Sequence, residues 1–302
     1  MPTRHGSIHL FRFAGVDLYL HWSWFVVAML EIAGRRASYA SPAFNVLEYL
    51  TLFLIVLLHE YGHALACRSV GGRADEIVLW PLGGVAYVAP PMRPGATLWS
   101  IAAGPLVNVL LVGVLVGVNL AAVVLGWHFS PDAARYLQAI WYINGGLLMF
   151  NLLPVYPLDG GQIVHALLWF VLGRARSLMV ASILGFLGVA ALFFLAWSWE
   201  SVWMGIVALF ILANCWRGFI NARQLIRAAR LPRRPGAICP GCQTAPPIGL
   251  WWTCSACSKP FDFFETHGLC PHCGARFGGA RCLNCGETHA MSEWHVSTPP
   301  LP

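Results

Sequence analysis

Long stretches of this chain carry no Asp, Glu, Lys or Arg, and that feature constrains the fold more than any other. The uninterrupted stretches are 18–30, 49–59, 94–131, 136–158, 160–173, 177–199 and 201–216. Several reach the ~20 apolar residues that a bilayer core requires. Only 11% of residues are charged and 58% are hydrophobic, against roughly 25% charged in soluble domains. An ordinary soluble enzyme, a disordered chain, a collagen and a disulfide-stapled secreted module are all excluded. The expected fold class is an all-α polytopic membrane protein of about six transmembrane helices, near 14–33, 46–67, 97–120, 136–154, 178–197 and 201–220. The first is the weakest, because Asp17, His21 and Glu31 punctuate it. A signal peptide competes for that segment, but Glu31, Arg35 and Arg36 separate its apolar part from the small residues Ala37 to Ala40.

The net charge of +6 is concentrated in one block, since 217–234 holds six Arg and no acid. Arginines directly after a hydrophobic segment suit a membrane-surface anchor better than a nucleic-acid face. With the N-terminus inside, Arg4, Arg12, Arg68, Arg73, Arg93, Arg174, Arg176 and the six of 217–234 are cytoplasmic, and only Arg35, Arg36 and Arg135 lie outside. Both termini are therefore expected in the cytoplasm, in a multi-pass protein of the lipid bilayer, with a prokaryotic cell membrane as its setting.

Residues 75–89 break the helical pattern. β-Favouring residues on either side of Gly83-Gly84 suggest a short hairpin near the membrane surface, with a plain loop as the other reading. After 235 the chain turns polar and Gly/Pro-rich. The expected organisation is a membrane domain over 1–222, a basic linker over 223–238, a zinc-binding region over 239–287 and a flexible tail over 288–302.

His59-Glu60-Tyr61-Gly62-His63 lies in the second expected helix. Residues four apart share a helix face, so both imidazoles can reach one Zn²⁺ while Glu60 stands beside its open position. Ionisable groups inside membrane helices are costly and count as functional candidates. A hydrolytic zinc site needs a third protein ligand and a water. Asp159 is the best candidate, placed at the end of the fourth helix on the same cytoplasmic level. In Asn151-Leu-Leu-Pro154-Val-Tyr-Pro157-Leu-Asp159-Gly160-Gly161 the prolines break the helix and the glycines permit the turn that aims a carboxylate inward.

The pairing of His-Glu-x-x-His with Asn-x-x-Pro-x-x-Pro-Leu-Asp-Gly-Gly resembles the site-2 protease family of intramembrane zinc metalloproteases. Gly83-Gly84 and Ala103-Gly104-Pro105-Leu-Val-Asn108 extend the likeness, which covers roughly 10–222 and is to the compact six-helix type without a PDZ domain. The resemblance implies that His59, His63 and Asp159 bind one catalytic Zn²⁺ and that Glu60 is the general base. It also implies that Asn151 donates to the developing oxyanion, unless Asn151 merely bonds its helix backbone, and that membrane proteins are the substrates. A substrate must be held extended to be cut, and the hairpin at Gly83 and Gly84 is the candidate edge. Asn108 and Asn144 read as helix-to-helix hydrogen bonds, and Cys67 and Cys215 as packing residues.

Eight cysteines form four Cys-x-x-Cys pairs, which read as two tandem zinc ribbons. Cys239, Cys242, Cys254 and Cys257 would hold one structural zinc, and Cys270, Cys273, Cys282 and Cys285 a second. A cytoplasmic location disfavours disulfides. Lys259, Arg276 and Arg281 are too few for a phosphate-binding face, so nucleic acid is an unlikely partner and protein contact is preferred. The leading expectation is a zinc endopeptidase acting on membrane proteins. A non-catalytic zinc-binding membrane adaptor is the alternative, and a transporter is weakened by the lack of repeated halves.

Overall fold

A computed structural model of the chain describes residues 6–35, 38–80 and 83–294. Arg4 and Arg36, both used in the orientation above, lie outside these residues. The chain divides into one unit up to Phe219 and a second from Ile220.

The first unit opens with strands β1 (Ser7–Phe13) and β2 (Val16–His21), followed by helices α1 (Ser23–Gly34) and α2 (Pro42–Ser69). Strands β3 (Arg73–Trp80) and β4 (Gly83–Ala89) come next. Helices α3 (Pro94–Leu125), α4 (Pro131–Leu152), α5 (Asp159–Leu172), α6 (Arg174–Ser198) and α7 (Val202–Ala229) complete the series, α7 running on into the second unit. Among the described residues four helices, α2, α3, α6 and α7, are long and apolar enough to cross a membrane, and α1 and α5 are shorter apolar helices.

The expected first span, 14–33, is a strand followed by a short helix. Val16 and Leu18 are fully buried while Asp17 and Tyr19 are only partly so, an alternation of period two that a helix would not give. The four strands form one sheet in the order β1-β2-β3-β4, with β2 and β3 parallel and the other pairs antiparallel. The expected hairpin is thus half of a larger sheet. Gly83 and Gly84 open β4, paired with Trp80 and Leu79, and residues 81–82 lie outside the described ones.

One face of the sheet packs on α2. Val16, Leu18, Ile77 and Leu79 share a core with Val56, Leu57, Tyr61, Ala64 and Cys67. Helix α2 begins with Ser41 as its cap and Pro42 in the first turn, where a missing N–H costs nothing. Its Gly62 faces the backbone of Ala103, where a β-carbon would press into the carbonyl, so the glycine sets how closely α2 and α3 approach. At the other end of α2, Asp132 accepts hydrogen bonds from the N–H groups of Ala40 and Ser41 at 3.0 and 2.9 Å and fastens the α1–α2 connection to α4.

Between α4 and α5 the chain runs irregularly from 153 to 158. Asp159 therefore does not end the fourth helix; it is the first residue of α5. Helix α5, of 14 residues, is not among the six expected spans and is too short to cross a bilayer. Gly160 and Gly161 let this turn fold onto the start of α5, since a β-carbon on either would collide with backbone of Leu152, Val155 or Tyr156.

In the second unit the expected linker is not a tether. Helix α7 continues through Ala229, and Arg233 donates to the carbonyls of Ala228 and Ala245 at 3.0 and 2.8 Å. Arg234 reaches the buried carboxylate of Asp262 at 2.7 Å. That carboxylate also accepts from the N–H groups of Gly249, Phe264 and Glu265, so its charge is fully compensated. The expected tail from 288 is likewise structured as far as Trp294. Strand β8 (Thr288–Ala290) pairs with β7 (Gly279–Arg281), and Trp294 is buried against Phe264. Residues 295–302 lie outside the described ones.

The four Cys-x-x-Cys segments fold as one repeated knuckle. In each, the N–H of the first Cys donates to the carbonyl five residues on, and the N–H four residues on donates back to that Cys. The residue after the second Cys takes a left-handed backbone, at Gln243, Ser258, Gly274 and Gly286. The sequence-expected partnering of the knuckles is corrected by the structure. Cys239 and Cys242 meet Cys285 and Cys282, with sulfurs 3.7 and 3.6 Å apart. Cys254 and Cys257 meet Cys273 and Cys270 at 3.6 and 3.7 Å. The second group is nested within the first. The reason is the shared apolar core, in which Trp252, Phe261, Phe263 and Phe264 gather all four knuckles around one cluster. The short pair β5 (Trp252–Thr253) and β6 (Pro260–Phe261) flanks the Cys254–Cys257 knuckle, and β7–β8 flanks the Cys282–Cys285 knuckle.

Candidate metal centre

Three side chains from two helices converge inside the first unit. On α2, His59 and His63 lie one turn apart and are buried, and Asp159 enters from the first turn of α5. The Nε2 atoms of the two histidines are 3.1 Å apart. Asp159 Oδ2 lies 3.1 Å from His59 Nε2 and 3.3 Å from His63 Nε2. Ligands about 2.0–2.1 Å from a tetrahedral zinc stand about 3.3–3.4 Å from one another, so this triangle has nearly the size of one face of such a site.

The hydrogen bonds behind the triangle fix what its atoms can do. Asn144 Nδ2 donates to the backbone carbonyl of Asn108 at 3.0 Å, and a carbonyl can only accept. Asn144 Oδ1 therefore accepts from Asn108 Nδ2 at 2.7 Å, which turns Asn108 Oδ1 toward His59 Nδ1 at 2.6 Å. The proton of His59 thus sits on Nδ1. His63 Nδ1 faces the carbonyl of Ser100 at 2.9 Å, with the same result. Both Nε2 lone pairs point at each other and at a carboxylate, an arrangement that repels itself unless a cation sits among them. The donor set fits a metal ion held by three protein ligands with a further position left for water.

Close approach of α3 makes this possible. A β-carbon on Gly104 would run into both Nε2 atoms. Gly104 and Asn108 are four residues apart, so one face of α3 supplies both the space and the acceptor. The sequence marks Asn108 only as a link between helices; the Asn108–Asn144 pair is such a link, but Asn108 also orients His59. The Gly-x-x-x-Asn spacing opposite a His-x-x-x-His helix was the available signal. Asn108→Leu is expected to strand the His59 Nδ1 proton and weaken zinc retention by about 10–100-fold. Chelator competition measures this, and Asn108→Asp, which keeps an acceptor, should recover part of it.

The other expected site residues are placed as follows. Glu60 is buried next to His59 on α2. Asn151 is half-buried in the last turn of α4, and among the described residues no hydrogen bond joins its side chain to the three ligands. Gly83 and Gly84 lie in β4, the strand at one edge of the sheet.

Peptidase family M50 matches residues 48–130 and 121–195, which include all three converging side chains. The chain is 32% identical over 179 residues to the zinc metalloprotease MJ0392 of Methanocaldococcus jannaschii, covering 59% of this chain and 50% of that protein. It is 33% identical over 157 residues to stage IV sporulation protein FB of Bacillus subtilis, covering 50% and 48%. The chain thus spans about half the length of the curated relatives it matches. Among solved structures, the site-2 protease from Methanocaldococcus jannaschii aligns with a TM-score of 0.49 at 26% identity, over 70% of this chain and 95% of that one.

Proposed function

The chain belongs to peptidase family M50, the site-2 protease family, and on that footing we propose that it is a zinc endopeptidase cutting membrane proteins in or near their transmembrane segments. The observation that carries this reading is the triangle of two imidazole lone pairs and a carboxylate, with a second buried carboxylate, Glu60, next along α2. His59, His63 and Asp159 hold the catalytic zinc. Zn²⁺ held there would supply a Lewis acid for the scissile carbonyl and bring the pKa of a coordinated water toward neutrality.

Glu60, buried next to His59, takes the proton of the attacking water and delivers it to the leaving amine, one carboxylate serving as base and then as acid. Asn151, at the end of α4, donates to the oxygen that becomes charged. The edge strand β4 holds the unwound substrate by strand addition, with Gly83 and Gly84 permitting close backbone approach. Packing of the sheet against α2 supports this role, because an added strand would lie beside the helix that bears the metal ligands. The two Cys₄ groups hold structural zinc, both termini face the cytoplasm of a prokaryotic cell, and the cysteine unit contacts a protein partner. The experiment is a comparison of membrane proteomes from cells carrying the native chain and a His59→Ala variant. Intact transmembrane proteins should accumulate in the variant, and identical fragment patterns would count against proteolysis.

A further inference from the structure

The second unit carries an apolar tip that its own core does not use. Ile248, Leu250 and Trp251 are 44%, 64% and 46% exposed, with only Gly249 between them. Single exposed apolar residues need no explanation, but adjacent ones on a polar module do. The tip is also firmly built. Gly249, at φ +122°, donates its N–H to the buried Asp262 carboxylate at 2.9 Å. The indole N–H of Trp251 donates to the carbonyl of Ile248 at 3.0 Å. With that donor satisfied inside the turn, the ring can leave water without stranding a polar group.

The tip is tied to the end of α7. The N–H of Ile248 donates to the carbonyl of Pro232 at 2.9 Å, three residues beyond Ala229, and the Arg233 fork bridges Ala228 and Ala245. At about 1.5 Å per residue, the 28 residues of α7 exceed the ~30 Å hydrocarbon core of a bilayer, so the last turns reach the headgroup layer. Those turns and the residues after them bear the six arginines of 217–234 with no acid among them. An apolar, aromatic tip beside a cationic helix end matches the chemistry of an anionic membrane surface, where Trp favours the interface and each Arg is drawn to the headgroups.

We propose that the Ile248–Trp251 tip is a lipid-surface anchor that inserts into the interface of a membrane containing anionic phospholipid and seats the cysteine-rich unit there. The test uses the full chain in vesicles of phosphatidylcholine and phosphatidylglycerol that include a phospholipid with a photoreactive diazirine near its headgroup. After irradiation, peptide mapping should find lipid adducts on 248–251. The yield should fall several-fold in phosphatidylcholine alone and in a Leu250→Glu, Trp251→Glu double variant. Zinc content reports whether that variant is folded, and Leu250→Ser serves as a milder substitute if it is not. Adducts on the apolar part of α7 from a companion phospholipid bearing its diazirine in the acyl chain show that the chain is inserted. Such adducts with none on 248–251 would overturn the anchor and leave the tip to a protein partner, whereas their absence from α7 as well would remove the membrane premise it rests on.

Discussion

Glu60→Gln is expected to lower turnover by about three orders of magnitude while leaving fold and zinc content unchanged. A positioned general acid–base contributes roughly 10²–10⁴-fold to a rate. The amide has nearly the shape of the carboxylate it replaces, so the buried position beside His59 stays filled. None of the three converging ligand atoms belongs to Glu60, and the Asn108 and Ser100 acceptors behind the histidines are untouched. Binding and catalysis should therefore separate. The measurement pairs cleavage of a single-span reporter in reconstituted vesicles with elemental analysis of the same preparation. His59→Ala should lose both activity and about one zinc per chain, whereas Glu60→Gln should lose activity alone. Turnover near the native level in Glu60→Gln would remove the proton-transfer role, and loss of zinc in it would make Glu60 a structural residue of the site.

The convergence of His59, His63 and Asp159 is legible in the sequence because it depends on local spacing. His59 and His63 are one helical turn apart, and Pro154, Pro157, Gly160 and Gly161 announce a break that delivers Asp159. The residues behind the ligands were harder to read. An Asn in an apolar helix has the same local signature whether it joins two helices or orients a histidine, and Asn108 does both. The first expected helix failed for a related reason. A charge-poor run alone reads as a span, yet only the alternation of Val16 and Leu18 with Asp17 and Tyr19 distinguishes a half-buried strand from one. Asp159 meets His59 and His63 from α5 and not from the fourth helix, because the short α5 is apolar without being long enough to cross a membrane. The partnering of knuckles was not legible at all, because four equivalent Cys-x-x-Cys segments can be joined in pairs in several ways and only the aromatic core decides among them.

That partnering leads to the second large expected effect. The native chain should hold about three zinc ions, one at His59, His63 and Asp159 and one in each Cys₄ group. Sulfurs of a tetrahedral Cys₄ zinc site lie about 3.8 Å apart for bonds of about 2.3 Å, close to the 3.6–3.7 Å measured in both groups. Changing Cys254 and Cys257 together to Ser should remove one zinc and free Cys270 and Cys273 for alkylation, since those thiols lose their co-ligands. Cys239, Cys242, Cys282 and Cys285 should stay protected for as long as the outer group keeps its metal. Tandem partnering would free Cys239 and Cys242 instead, so mapping alkylated thiols by mass spectrometry decides between the two. Some weakening of the outer site is also expected, because both groups close around the same Trp252 and Phe261 core and the inner knuckles shorten the loop from Cys242 to Cys282. The reciprocal pair, Cys282→Ser with Cys285→Ser, leaves the inner loop between Cys257 and Cys270 short. That variant should therefore retain the inner zinc more firmly than the first retains the outer, and equal loss of both metals in the two variants would mean that the core, and not loop closure, sets their order of release.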